Sequence, residues 1–410
     1  MNFFLKQSVV NSSSEITITG SKSETNRLLL LQALYSNISI ENISKSDDSD
    51  AMQTALLSNE NVIDIHHAGT AMRFLTAFFA VQEGREVLLT GSSRMKERPI
   101  KILVEALQQL GVEITYEGEV GFPPIRIKGQ KITENKVSLK ANVSSQYISA
   151  LLLIAPRLEN GLELKLEGEI TSLPYIKMTL ALLNKIEVET SFENNVIKVK
   201  PKSSIENLQL LVESDWSSAS YFYSIMAFSD IGTRIKLSSY KQNSLQGDSA
   251  LVEIYKDFGV ETKFNNNKTI SISKVKTHNL QSITYNLKDC PDIAQTIAVT
   301  CFGLEIACHL TGLHTLKIKE TDRLEALKIE LTKLGAAVSV TSNSLTLESS
   351  DKINPNITIA TYQDHRMAMA FAPLALKTSI TIENAQVVSK SFPTYWKELK
   401  SIGFEIHEAQ

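Results

Sequence analysis

Leu316-Lys317-Ile318-Lys319-Glu320-Thr321-Asp322-Arg323-Leu324 gathers Lys319, Glu320, Asp322 and Arg323 directly ahead of an amphipathic helix whose apolar face is Leu324, Leu327, Leu331 and Leu334. Leu316 and Ile318 alternate with Lys317 and Lys319 as a half-buried strand does. The charged cluster is therefore expected where strand gives way to helix, a junction at which anionic ligands commonly dock. A carboxylate such as Asp322 is favourable at any helix N-terminus. Capping alone does not call for so dense a set of charges.

Outward from this stretch, the same order of elements returns six times: a strand, a polar loop, an amphipathic helix, a strand, a turn and a further strand. One copy runs through Leu88–Leu89, a helix from Ile100 to Leu110, Val112–Ile114 and Ile125–Ile127. Another runs through Leu162–Leu166, Tyr175–Leu183, Val188–Phe192 and Val196–Val199. A third spans Ile235 to Ile272, with a helix from Ala250 to Phe258 and a turn at Asn265-Asn266-Asn267. The stretch quoted above lies in the fourth clear copy. Two weaker copies begin near Ile38 and Ile380; the first loses most of its terminal hairpin between Ser58 and Ile65, and the last ends in Phe404 to Ile406.

Between copies lie helices that are apolar on nearly every side and so are expected to be buried. They are Arg27–Tyr35, Thr70–Val81, Gln146–Ala155, Ser217–Phe228, Asp292–Phe302 and His365–Leu376. Each follows a short polar loop: Gly20-Ser21-Lys22-Ser23, Ala68-Gly69, Ser144-Ser145, Ser214-Asp215-Trp216, Pro291-Asp292 and Gln363-Asp364. A buried helix must satisfy its first amides with a cap or a ligand, and its positive end attracts anions. One such loop is an ordinary cap. Six together, with lysines and arginines beside them, predict an anion site.

Composition narrows the partners. The 410 residues are 43% hydrophobic and 21% charged, with a net charge of -3, which gives no bulk attraction to nucleic acid or anionic membranes. Small molecules are the expected partners. Cys290, Cys301 and Cys308 are an odd, widely spaced set without a CxxC pair, read as buried, unreactive thiols. There is no run of about 18 apolar residues and no signal-peptide pattern near Met1–Asn11, so the expected location is the cytoplasm.

Several of these motifs jointly resemble the 5-enolpyruvylshikimate-3-phosphate synthase family, over essentially the whole chain. They are Gly20-Ser21-Lys22-Ser23-Glu24-Thr25-Asn26-Arg27, Ala68-Gly69-Thr70-Ala71-Met72-Arg73-Phe74, Arg94-Met95-Lys96-Glu97-Arg98-Pro99, Ser144-Ser145-Gln146, Asp215-Trp216-Ser217-Ser218-Ala219-Ser220, Lys319 to Leu324, and Asp364-His365-Arg366-Met367-Ala368-Met369. The resemblance implies a two-domain inside-out α/β barrel of six repeats, three per domain. It implies a discontinuous C-terminal-half domain of residues 1–20 plus 214–410, an inserted domain of residues 21–213, and an active site in the cleft between them.

It also implies transfer of the enolpyruvyl group of phosphoenolpyruvate to the 5-hydroxyl of shikimate 3-phosphate, with release of phosphate, by a monomer without cofactor or metal. Phosphoenolpyruvate would be held by Lys22, Gly69, Arg98, Gln146, Arg323, Arg366 and Lys390. Shikimate 3-phosphate would be held by Lys22, Ser23, Arg27, Ser144, Ser145, Gln146, Ser172, Asp292 and Lys319, with Tyr175 close by. Asp292, Glu320 and Lys22 would carry the chemistry. Arginine suits planar bidentate anions and lysine suits a point charge. Cations in both halves would repel one another until an anion joins them, so the resemblance further predicts closure on substrate.

Departures from the family pattern fall at His67, where a side-chain amide is usual, and at Thr315, where an asparagine often meets the shikimate hydroxyls. The pair His66-His67 lacks the further carboxylate or thiol cluster that a metal would need. Arg73 is expected to form an inward structural ion pair, and His365 to cap its helix or to bond a catalytic carboxylate. Two alternatives share the scaffold: a transferase acting on UDP-N-acetylglucosamine, which carries a reactive cysteine on a mobile loop, and a catalytically silent anion-binding protein.

Overall fold

A computed structural model describes residues 1–140, 144–168, 170, 173–276 and 280–409. The chain divides into two compact units, Met1–Thr19 with Glu213–Gln410, and Gly20–Val212. The strands of each unit form three sheets, and five of the six sheets have the same four-stranded plan. In the second sheet of the inserted unit, Val62–Asp64 runs parallel to Glu86–Thr90, which pairs antiparallel with Ile125–Lys128, which pairs in turn with Glu113–Tyr116. A buried helix, Gly69–Ala80, makes the crossover between the two parallel strands. An amphipathic segment, Lys101–Gln109, precedes the hairpin. Parallel neighbours require such a crossover, whereas antiparallel ones need only a turn.

The buried helices are Lys22–Leu34, Gly69–Ala80 and Ser145–Ile154 in the inserted unit, and Trp216–Phe228, Ala294–Gly303 and His365–Phe371 in the other. Within each unit the three pack against one another. Every residue of Gly69–Ala80, Trp216–Phe228, Ala294–Gly303 and His365–Phe371 is buried, as helices with apolar residues on nearly every side require.

Three sheets combine strands from distant parts of the chain. Ser13–Ile16 is the parallel neighbour of Arg234–Leu237, and Leu208–Leu211 is the parallel neighbour of Ile38–Glu41. Asn2–Leu5 lies between Ile380–Ile382 and Ile406–Ala409 and completes the sixth sheet.

Several local expectations need correction. Residues 316–319 do not form a strand: His314–Ile318 is a 3-10 turn, Leu313 and Leu316 are buried, and Ile318 is 64% exposed. The spacing that matters here is three residues, and the strand of this copy is Ala307–Thr311. The helix expected at 250–258 shrinks to a 3-10 turn, Gly247–Ala250, and one α-helical turn, Leu251–Ile254. In the first copy the helix Asp47–Leu57 leads straight to Val62–Asp64, which is a strand of the following sheet. That copy therefore shows only the two-stranded pair Ile38–Glu41 and Leu208–Leu211 among the described residues.

Candidate active site

In the unit containing Glu213–Gln410, Asp322 caps the helix Arg323–Lys333 by accepting from the amides of Leu324 and Glu325, both at 3.2 Å. The cap fixes the first turn, and Arg323 points inward from it with its side chain 2% exposed. Its guanidinium donates from Nε to Asp364 at 2.6 Å, from Nη1 to Asp292 at 2.9 Å and from Nη2 to Glu320 at 2.7 Å. A planar fork satisfied on three sides holds its carboxylates in fixed directions. Arg366 approaches the other Asp292 oxygen at 3.1 Å, and Lys319 lies 3.6 Å from Oδ1.

Burial by itself would push the Asp292 carboxyl up, but Arg366, Lys319 and Arg323 together hold it well below the usual carboxylate range. Asp292 is therefore ionised. Asp364 also accepts from the amide of Arg366 at 2.8 Å, and Arg366 donates to Ser217 at 3.3 Å. Lys390 donates to the carbonyl of Gln363 at 2.7 Å. Asp292, Lys319, Glu320, Arg323 and Arg366 thus share one cluster, with Lys390 joined to it through the Gln363-Asp364 turn.

In the unit Gly20–Val212, Lys22 opens a helix that lacks a side-chain cap and pairs with Asp48 at 3.2 Å. Arg27 is buried and donates to Thr179 at 2.8 Å, to Ser149 at 2.9 Å and to the Ser23 carbonyl at 2.7 Å. Burial lowers its guanidinium to about 10. Arg98 lies against Gly69, where a Cβ would come within 2.3 Å of Nη1. Ser144 caps the helix of Ser145 through the Gln146 amide at 3.3 Å, and the Gln146 side chain reaches Thr70 at 3.3 Å. The carbonyl of Tyr175 accepts from Thr179 at 2.9 Å. Ser172 lies outside the described residues.

A family model described as EPSP synthase (3-phosphoshikimate 1-carboxyvinyltransferase) matches residues 53–399. The chain belongs to the EPSP synthase family. The 3-phosphoshikimate 1-carboxyvinyltransferase of Bacteroides fragilis (strain YCH46) is 44% identical over 395 residues, 95% of each chain. That of Marinomonas sp. (strain MWYL1) is 35% identical over 431 residues, 98% of this chain and 100% of the relative. The EPSP synthase structure from Acinetobacter baumannii superposes with a TM-score of 0.81 at 21% identity, covering 99% of this chain and 100% of that one. The enolpyruvyl transferase NikO from Streptomyces tendae reaches 0.74 at 12% identity, covering 100% and 98%. These likenesses establish the two-domain α/β fold of EPSP synthases, with its six repeats.

Besides Asp292 and Glu320, three carboxylates of which no role was expected hold cations in this EPSP synthase family member. Asp48 faces Lys22, Asp364 faces Arg323, and Asp248 faces Arg366 through Ser217. Asp48 had a signal: Ser46 followed by Asp47, Asp48 and Asp50 marks a helix start. Asp248 had none beyond being a lone carboxylate in a loop. Burial, followed by the charge of Asp292, raises the Asp248 carboxyl to about 7. Arg73 does face inward, but its bonds go to the carbonyls of Gly69 at 3.0 Å and Pro99 at 3.1 Å rather than to a carboxylate. The cap expected of His365 is supplied by Asp364. His67 lies 3.8 Å from Asp47. The Thr315 hydroxyl is buried with no hydrogen-bond partner.

Proposed function

We propose that the two clusters, one in each unit, serve a single reaction: transfer of the enolpyruvyl group from phosphoenolpyruvate to the 5-hydroxyl of shikimate 3-phosphate. Both substrates carry a carboxylate and a phosphate, and Lys22, Arg98, Arg323, Arg366 and Lys390 supply the countercharge. The observation that carries this reading is the Asp292 cluster, in which an ionised carboxylate stands beside Glu320 under a common Arg323. Glu320 delivers a proton to the methylene carbon of phosphoenolpyruvate while the 5-hydroxyl oxygen bonds to C2 and gives its proton to Asp292. The tetrahedral intermediate then returns a methyl proton to Glu320 as the C–O bond to phosphate breaks, and the proton held by Asp292 passes to the departing phosphate, giving the enol ether and inorganic phosphate. Lys22 stabilises the charge on the departing phosphate.

Shikimate 3-phosphate is held in this reading by Lys22, Ser23, Arg27, Ser144, Ser145, Gln146, Ser172, Asp292 and Lys319, and phosphoenolpyruvate also by Gly69 and Gln146. The transferase acting on UDP-N-acetylglucosamine would call for an activated thiol. Instead, Cys290, Cys301 and Cys308 are all buried, and burial raises the thiols of Cys290 and Cys301. Three free cysteines fit a reducing compartment and so a cytoplasmic location.

Phosphate release from phosphoenolpyruvate should depend on shikimate 3-phosphate and not on UDP-N-acetylglucosamine; the reverse dependence would overturn the reading. Glu320→Gln should nearly abolish exchange of solvent deuterium into the methylene group of phosphoenolpyruvate, followed by NMR, while leaving shikimate 3-phosphate binding largely intact. Wild-type exchange in that variant would remove Glu320 from the role.

A further inference from the structure

Glu330 lies on the helix Arg323–Lys333 two turns beyond Arg323, and it is fully buried. Its carboxylate accepts from Lys333 at 2.8 Å, from the amide of Ala360 at 3.2 Å and from the hydroxyl of Tyr362 at 2.6 Å. The reaction described above uses neither Glu330 nor Tyr362. Tyr362 and Gln363 both adopt left-handed backbone conformations, with φ of 53° and 56°. Residues with bulky side chains rarely take that conformation, and two in succession persist only where the surroundings over-determine them.

The turn leads directly to the cluster. The Gln363 carbonyl holds Lys390 at 2.7 Å. Asp364 takes Nε of Arg323 at 2.6 Å and the amide of Arg366 at 2.8 Å. These two residues thus hold Lys390 and Arg323 by their charged groups, and Arg366 by its backbone amide at the helix start. The anchor of the turn is the Tyr362 hydroxyl on Glu330, whose own helix begins at Arg323. Helix, clamp, turn and guanidinium form a closed ring.

We infer that Glu330 and Tyr362 are positioning residues for phosphoenolpyruvate: their hydrogen bond clamps the left-handed turn so that Gln363 and Asp364 set Lys390, Arg323 and Arg366 in the geometry an incoming carboxylate and phosphate require. The inference rests on the reading of those three cations as phosphoenolpyruvate ligands. A purely structural Glu330 would show itself in stability alone, whereas a positioning clamp acts on one substrate's KM.

The test is steady-state kinetics of the full chain with each substrate varied in turn. Tyr362→Phe removes only the hydroxyl and should raise KM for phosphoenolpyruvate about tenfold, the scale of one hydrogen bond to a charged group. KM for shikimate 3-phosphate should stay within about twofold. Adding Gln363→Gly should recover part of the loss, because glycine takes the left-handed conformation without a side-chain penalty. Lys390→Met serves as the reference. If Lys390→Met raises KM for phosphoenolpyruvate and Tyr362→Phe lowers only the melting temperature, the clamp serves the fold and the inference falls alone. If Lys390→Met leaves that KM unchanged, the ligand assignment fails and takes the inference with it.

Discussion

Gly69 carries the guanidinium of Arg98 on its bare α-carbon, so the space beside it is filled. An alanine there would place Cβ 2.3 Å from Nη1 and 2.9 Å from Cζ of Arg98. The atoms in the way are the far end of a flexible side chain, so Gly69→Ala should fold and Arg98 should move. We expect KM for phosphoenolpyruvate to rise about tenfold, the effect of one misplaced charge-assisted bond. Glyphosate, which in this family competes with phosphoenolpyruvate, should inhibit the wild type and lose potency against the variant. Unchanged KM and inhibition in Gly69→Ala would show that Arg98 is free to settle elsewhere. The sequence made the cations visible through their motifs, but their holders were hidden. Arg323 and Asp364 stand 41 positions apart, and nothing in either local pattern announces a bond between them.

At the scale of elements, the buried helices were legible because apolar residues on nearly every side leave a helix little face to expose. The turn before Arg323 was misread because Leu316 and Ile318 satisfy a period of two, while Leu313 and Leu316 satisfy a period of three. Only burial separates the two readings. The incomplete first copy leaves Ile38–Glu41 without the hairpin that shields its counterparts. Part of that edge is closed by Gln32, which donates to the Ile38 carbonyl at 2.8 Å. Asp322 is the cap on which the turn that carries Arg323 depends. Asp322→Ala leaves the amides of Leu324 and Glu325 without their acceptor and should cost about 1 kcal/mol. That corresponds to a fall of roughly 2–4 °C in the melting of a unit of this size. Asp322→Asn should retain most of the stability, and calorimetry of the two variants would distinguish cap loss from charge loss.

For the molecule as a whole, stability should carry the mark of Asp248. Its carboxyl titrates at about 7 in the folded chain because burial, and then Asp292, disfavour the charge. In the unfolded chain an aspartate titrates near its ordinary value of about 4. The native state thus binds this proton more tightly, so its contribution is fully present below the unfolded value and is lost as pH rises to about 7. Asp292 has the opposite sign. Its contribution is complete above the ordinary aspartate range and is lost only in stronger acid. Asp248→Asn removes the first effect, so its melting temperature should gain on that of the wild type between pH 4.5 and 7.5 (an interval set by roughly these two pKa values). A constant difference across that interval would show that Asp248 titrates normally.

The exchange of strands between distant segments also dictates an order of events on the ribosome. All strands of Gly20–Val212 come from within that unit, so it can complete its sheets as soon as it has emerged. Asn2–Leu5 is synthesised earlier but must wait for Ile380–Ile382 and Ile406–Ala409. At about 5–20 residues per second, the roughly 200 residues still to be made after Val212 take about 10–40 s. Throughout that interval Phe3, Phe4 and Leu5 have none of the sheet partners they pair with in the folded chain.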